Sequence, residues 1–209
     1  MVMIKNDILG QCLPGDILLT SNPAGIGKLI NFGQGLEEPE KCSQYGHIAI
    51  FAKCPGTVWK TDGMIYESVM TISKNSIDNY DGKKICIIRH SEMTEKKFYL
   101  GREEILDNIG QIYPFHRLAF HGLDMVNAWI KRCIFRRAAP LKFRYMKLMP
   151  LDWPVCSELG EQFMMGANCN SGIPKDGWRG VNPDDFDDAR FDRPDIWTTI
   201  LEGKYTIGG

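Results

Sequence analysis

The sequence predicts an α+β fold, with strands in the first half of the chain and helices in the second. Short apolar or alternating runs, each bounded by Gly, Pro, Asn or Asp, recur before residue 90. After residue 94 the apolar residues recur instead with a period close to 3.6, which is typical of amphipathic helices. We therefore expect a small sheet with helices packed against it.

Four strands are predicted in the first half. A Pro-Gly turn precedes the first of them, and polar or glycine-rich segments separate the others. The runs are Gly15–Thr20, His47–Ala52, Met64–Val69 and Lys84–Arg89. Residues 23–40 are rich in glycine and polar residues, which is typical of a loop near a site, and they include a short helical pattern at 28–32.

Helical patterns follow at 95–110 and 122–137. A third helix should begin at Cys156, because Pro154 comes just before it and Glu158 falls in its first turn. Gly166 is a suitable end for that helix. A turn at 182–186 should cap one more short helix, and residues 196–200 are predicted as a final strand.

Length and composition indicate one ordinary globular domain over residues 1–209, with 44% hydrophobic and 24% charged residues. A net charge of -1 gives no reason to expect nucleic acid as a partner. No apolar run approaches the ~20 residues that span a bilayer, and the start of the chain lacks a secretory signal pattern. We therefore expect a soluble, cytoplasmic protein, which would reach an external substrate only through lysis, a phage particle or a specialised exporter. The oligomeric state is not indicated.

Charge is unevenly distributed. Lys and Arg crowd residues 131–147 with no acid among them, whereas Asp crowds residues 184–195. A solvated helix face followed by an acidic loop accounts for both runs. The alternative is that the basic run contacts an anionic substrate or a lipid headgroup.

The cysteines point to chemistry at one position. Seven of them occur at irregular spacings without a CxxC pair, so neither a disulfide framework nor a metal site is expected, and no cofactor is predicted. Cys156 alone opens a predicted helix, where unpaired backbone N–H groups and the helix dipole stabilise a thiolate. It is therefore the candidate nucleophile, the alternative being an ordinary buried thiol. Cys86 and Cys133 lie on apolar stripes and are expected in the core.

A thiol nucleophile needs a base and a third group that orients the base. His47 opens one apolar strand, and Glu67 lies inside the next, an unusual place for an acid without a polar partner. If the two strands form a hairpin with Phe51 opposite Gly63, His47 faces Glu67 directly, with Cβ atoms ~4.5–5.5 Å apart. A pair that merely stabilises the sheet is the alternative. His90 follows a strand end in a polar stretch and is expected to be exposed.

Six short motifs occur in order along residues 14–187. They are Gly15-Asp-Ile-Leu-Leu, Tyr45-Gly-His-Ile-Ala-Ile, Tyr66-Glu-Ser, Gly110-Gln-Ile-Tyr-Pro-Phe, Val155-Cys-Ser-Glu-Leu and Pro183-Asp-Asp-Phe. Together they resemble the permuted NlpC-type, YiiX-like branch of the papain-like cysteine hydrolases, which is related to lecithin retinol acyltransferase. Each motif is weak alone, and their order is the more specific signal.

The resemblance implies a circularly permuted papain-like fold, with a small antiparallel sheet or half-barrel packed against the helix of the catalytic cysteine. It implies a triad of Cys156 as nucleophile, His47 as base and later acid, and Glu67 as the group that orients the imidazole. The order along the chain is the reverse of the ordinary papain-like order. Two features depart from the family pattern: Gly160, which costs a helix ~1 kcal/mol relative to alanine, and the long basic segment 116–150.

The resulting hypothesis is a cysteine peptidase or amidase-like hydrolase that cleaves an amide, a peptide such as a cell-wall peptide, or an acyl bond through a thioester on Cys156. One alternative is a lipid acyltransferase or thioesterase-like enzyme. Another is a non-catalytic module that binds peptide, cell-wall or lipid ligands in the same cleft. Tyr45 and Trp153 are candidate substrate-binding residues.

Two competing motifs are rejected. Residues 22–29 are not a phosphate loop, because that pattern requires glycine at the position of Asn22 and a hydroxyl at the position of Leu29. Ser68 or Ser157 as nucleophile would have no better base than His47. The thiol therefore remains the preferred nucleophile.

Overall fold

The computed structural model describes residues 2–20, 45–54, 59–112, 130, 154–173 and 181–208. Several predicted features lie outside these residues: the loop at 23–40, the basic run at 131–147, Trp153 and, apart from residue 130, the helix at 122–137.

The described residues form seven strands, four α-helices and one short 3₁₀ helix at Ile77–Tyr80. The strands are β1 (Val2–Ile4), β2 (Ile17–Thr20), β3 (His47–Phe51), β4 (Met64–Ser68), β5 (Ile72–Ser76), β6 (Lys84–His90) and β7 (Trp197–Thr206). The helices are α1 (Lys5–Gln11), α2 (Glu95–Leu106), α3 (Cys156–Gly166) and α4 (Pro183–Asp192).

All seven strands belong to one sheet with the order β1-β7-β6-β2-β3-β4-β5. β1 pairs with β7 in parallel, and every other neighbouring pair of described strands is antiparallel. The predicted α+β class is therefore confirmed. β7 lies between β1 and β6, although its residues come after the 14–187 stretch that carries the family resemblance.

Alternation of side chains along the strands buries both faces of the sheet. One face packs against α2, α3 and α4 through an apolar cluster that includes Ile48, Tyr66 and Leu159. The other face packs against α1 and the 3₁₀ helix through a second cluster that includes Ala49, Ile65 and Tyr80. The chain therefore forms helical layers on the two sides of a central sheet.

Most predicted elements agree with the structure to within a few residues. α3 begins and ends where it was expected, and α2 ends at Leu106 rather than at residue 110. β7 continues to Thr206, well past the predicted end at residue 200, because it pairs with β6 along most of its length. β5 is absent from the predicted strands, since Ile72-Ser-Lys-Asn-Ser has a single apolar residue.

Glycines place α3 close to its neighbours. A Cβ atom at Gly160 would overlap the side chain of Ile48 on β3. A Cβ atom at Gly101 of α2 would overlap the backbone oxygen of Phe163 on α3. The absence of a side chain at Gly160 is therefore what allows the helix of Cys156 to lie directly on β3.

Candidate active site

His47 and Glu67 are in contact, as the hairpin argument predicts, but the strand register differs from the predicted one. Phe51 pairs with Ile65 instead of Gly63, and Ala49 pairs with Glu67. Gly63 does not belong to β4: it has a φ of 85° and lies in the bend just before the strand, which begins at Met64. A shift of two residues keeps each side chain on its face of the sheet, so His47 and Glu67 become diagonal neighbours.

The His47–Glu67 pair is fully buried. The Nε2 atom of His47 lies 2.9 Å from Oε2 of Glu67, and the two residues are 0% and 2% exposed. Along their strands, His47 and Glu67 alternate with residues that belong to the α3-facing cluster. The two residues therefore lie on the other side of the sheet from α3 and Cys156. His47 is the first residue of β3, and it meets Cys156 at this end of the strand.

Donors surround the Glu67 carboxylate. Its Oε2 accepts a hydrogen bond from the hydroxyl of Tyr80, and its Oε1 accepts one from Nδ2 of Asn75 at 2.8 Å. Burial raises the pKa of Glu67, but the charge and hydrogen bond of His47, together with these donors, outweigh it and hold the pKa below its usual range. Glu67 is therefore ionised inside the protein.

Cys156 is the first residue of α3 and is 4% exposed. The helix start is capped by Glu158, whose carboxylate accepts the Val155 N–H at 3.1 Å. Burial raises the pKa of the Cys156 thiol. The positive charge of His47 and backbone hydrogen bonds from Ile48 and Ser157 lower that pKa by more than burial raises it, so the net shift is downward.

Other buried thiols show the opposite shift. Burial raises the pKa of Cys86 to about 12. It also raises the pKa values of Cys12 and Cys169. The lowered pKa of Cys156 therefore follows from its neighbours and not from burial.

Burial lowers the pKa of His47, whereas the charges of Cys156 and Glu67 raise it. The charges have the larger effect, so the pKa of His47 lies above its usual range. The Cys156 thiol interacts with the His47 ring, although Nδ1 of that ring has no hydrogen-bond partner among the described residues. Such contacts in catalytic pairs often tighten only when substrate binds. The arrangement favours a thiolate beside an imidazolium.

Other residues singled out from the sequence lie elsewhere. Tyr45 is 1% exposed, and its hydroxyl donates to Glu202 at 2.9 Å, so its ring belongs to the core and not to an open cleft wall. Ser157 donates to the Val181 carbonyl and Ser68 to the Pro154 carbonyl. Neither hydroxyl is directed at His47 by these bonds.

The prediction that His90 is exposed is wrong. His90 is 2% exposed, and its Nε2 lies 3.0 Å from the Asn170 carbonyl oxygen. Trp197 of β7 packs its ring edge-on against the imidazole at 5.1 Å. The burial comes from residues 80 and 107 positions away along the chain, which a local polar pattern does not report.

Asn75 and Tyr80 are site residues that the sequence interpretation missed. Asn75 lies on the unpredicted strand β5, and Tyr80 ends the 3₁₀ helix after it. A buried acid in a strand does signal that polar partners exist, but not which residues they are. Beside the carboxylate is a cavity of about 200 Å³, lined by Glu67, Val69, Met70, Thr71, Ser73, Asn75, Asn79 and Tyr80.

No protein-family model matches the sequence, and no curated protein matches it. Among solved structures, the chain is similar to the crystal structure of the metalloprotein YiiX from Escherichia coli O157:H7, with a TM-score of 0.54. The match covers 92% of this chain and 98% of that chain at 14% identity. At this identity the similarity shows the fold alone, which is YiiX-like.

The residues that the structure describes contain no group of three or more His, Cys, Asp or Glu side chains placed to hold a metal ion. Within the same residues, no helix has both the length and the apolar character needed to cross a membrane.

Proposed function

We propose that this chain is a cysteine hydrolase of the permuted papain-like type, which cleaves an amide, peptide or acyl bond through a thioester on Cys156. One observation carries the proposal: the buried thiol of Cys156, at the start of a helix, interacts with His47, whose Nε2 lies 2.9 Å from Oε2 of the buried Glu67. These are the nucleophile, the base and the orienting group that such chemistry requires.

In the first half-reaction, His47 holds the proton of the thiol, and the Cys156 thiolate attacks the substrate carbonyl carbon to form a C–S bond. Backbone N–H groups at the start of α3 are natural donors to the oxyanion. The bond from carbon to the leaving nitrogen or oxygen then breaks, and the leaving group takes the proton from His47. A thioester remains on Cys156.

In the second half-reaction, water gives a proton to His47 and attacks the thioester carbon. The C–S bond breaks, the acid product leaves, and the thiolate is regenerated beside the imidazolium. Glu67 keeps its charge throughout, orients the imidazole and stabilises its protonated form.

A binding module that has lost catalysis has no physical need for this arrangement. Keeping an ionised carboxylate at 2% exposure carries a desolvation cost that a ligand-binding cleft would not require. The substrate class, whether peptide, cell-wall peptide or lipid-derived acyl group, rests on the sequence resemblance.

Selective alkylation tests the nucleophile. Near neutral pH, iodoacetamide should modify Cys156 before the other cysteines, as read by peptide mass mapping, because its thiolate is stabilised. Replacing the partly exposed thiol in Cys54→Ala is the control and should leave the rate at Cys156 unchanged. Modification of another cysteine while Cys156 stays inert in the folded protein would overturn the assignment.

Intact-mass measurements test the reaction. After exposure to peptidoglycan fragments, peptides or lipid esters, one class should leave an acyl adduct on the protein that is absent from Cys156→Ala. An alkylation-competent Cys156 that forms no adduct with any of the three classes would contradict hydrolysis of these substrates.

A further inference from the structure

We propose, building on the cysteine hydrolase function above, that Tyr80 and Asn75 are positioning residues whose hydrogen bonds keep the Glu67 carboxylate in its ionised form beside His47. The hydroxyl of Tyr80 donates to Oε2, the same oxygen that lies 2.9 Å from Nε2 of His47. Nδ2 of Asn75 donates to Oε1 at 2.8 Å. Each oxygen of the Glu67 carboxylate therefore accepts a hydrogen bond from one of these two side chains.

Tyr80 also contacts His47 directly. Its ring stacks on the imidazole with centroids 6.0 Å apart and an angle of 20° between the planes. The residue is 1% exposed and belongs to the apolar cluster on this face of the sheet. The hydroxyl thus fixes the carboxylate while the ring limits the tilt of the imidazole.

The 3₁₀ helix that carries Tyr80 is anchored independently of the site. Ser76 caps it by accepting the Asp78 N–H at 3.1 Å. Asp78 in turn accepts hydrogen bonds from Lys5 of α1 and from the hydroxyl of Tyr205 on β7 at 2.7 Å. Tyr80 is therefore held in place by elements that take no part in the chemistry.

Electrostatics determines in which direction the pKa values of the site should move when one of these donors is removed. The titratable groups that act on one another here are Cys156 of α3, His47 of β3, Glu67 of β4 and Tyr80 of the 3₁₀ helix. The positive end of an O–H or N–H dipole directed at this cluster makes every proton uptake by it less favourable. Removing the donor should therefore move each titration step of the cluster to higher pH.

Tyr80→Phe is the sharpest test, because it keeps the ring and deletes the hydroxyl. The acid midpoint of Cys156 alkylation by iodoacetamide should rise by up to ~1 pH unit, while the plateau rate changes less than ~3-fold. Asn75→Ala should shift the midpoint in the same direction. Ser171→Ala is the matched control, since it also removes a buried hydroxyl that donates to a buried carboxylate, that of Glu161 at 2.9 Å, and it should leave the midpoint unchanged.

NMR titration of the His47 ring in the same variants does not depend on thiol reactivity, and its midpoint should also rise in Tyr80→Phe. Unchanged or lowered midpoints in both Tyr80→Phe and Asn75→Ala, or an equal rise in Ser171→Ala, would overturn the proposal that these two donors stabilise the ionised carboxylate. An inert Cys156 together with a raised His47 midpoint would instead overturn the hydrolase function and support the role of Tyr80.

Discussion

His47 and His90 are two buried histidines with opposite electrostatic surroundings. His47 opens β3 and His90 ends β6, and each is at most 2% exposed. His47 lies between a carboxylate and a thiol. His90 lies between two backbone groups, because its Nε2 donates to the Asn170 carbonyl and its Nδ1 accepts the Glu92 N–H at 3.1 Å.

The difference shows that burial alone does not decide the charge of a histidine. Burial lowers the pKa of His90, and its hydrogen bond to Asn170 does not offset this. Burial also lowers the pKa of His47, but Cys156 and Glu67 reverse the sign. His47 is thus able to carry a proton, whereas His90 is a neutral imidazole that joins the segment after α3 to β6.

Exchanging each histidine for glutamine should give the largest contrast. His47→Gln should lower turnover by roughly 100-fold to 10,000-fold and slow Cys156 alkylation near neutral pH, because base and counter-charge are both lost. His90→Gln should leave the alkylation rate within ~3-fold of the wild type. An equal loss in both variants, with both folded by circular dichroism, would contradict the distinction.

Glu67→Gln should make His47 more like His90. Without the adjacent negative charge, the pKa of His47 should fall by ~1–3 units, as measured by NMR titration of its ring. Glu92→Gln next to His90 is the matched control, and it should leave the His47 midpoint unchanged. A His47 pKa that does not move in Glu67→Gln would show that the carboxylate has no electrostatic role.

The smallest effect concerns acid stability. The pKa of folded His90 is below that of an unfolded histidine, ~6.5, so its contribution to stability is complete above that pH and is lost as the pH falls. His90→Gln should therefore reduce the drop in unfolding free energy between about pH 7.5 and about pH 5. Urea denaturation at the two pH values measures this. An unchanged drop would mean that His90 titrates normally in the folded protein.

How far the sequence predicts this site depends on which signals are local. The strands that carry His47 and Glu67 are apolar runs bounded by turn residues, and their contact survives a register error of two because side chains alternate with a period of two. The burial of His90 is set by Trp197 and Asn170, which are distant along the chain. The polar residues next to His90 in the sequence therefore led to the wrong prediction that it is exposed.

β5 is a strand that the sequence pattern does not reveal. It is the last strand in the order of the described sheet and only Ile72 of it is buried, so the apolar alternation that reveals a strand is missing. The role of Tyr80 is not visible in the sequence either, since it exists only once β4 and β5 are paired. The catalytic roles of Cys156, His47 and Glu67 remain predictions that the experiments above address.

The close packing of α3 on β3 has an evolutionary consequence. Because Gly160 leaves no room between the helix and Ile48, the two positions are expected to covary among homologues. A homologue with an apolar side chain at the position of Gly160 must carry a smaller residue at the position of Ile48 or accept a nucleophile farther from its histidine. Selection on the chemistry of Cys156 would then be recorded at two residues that take no part in it.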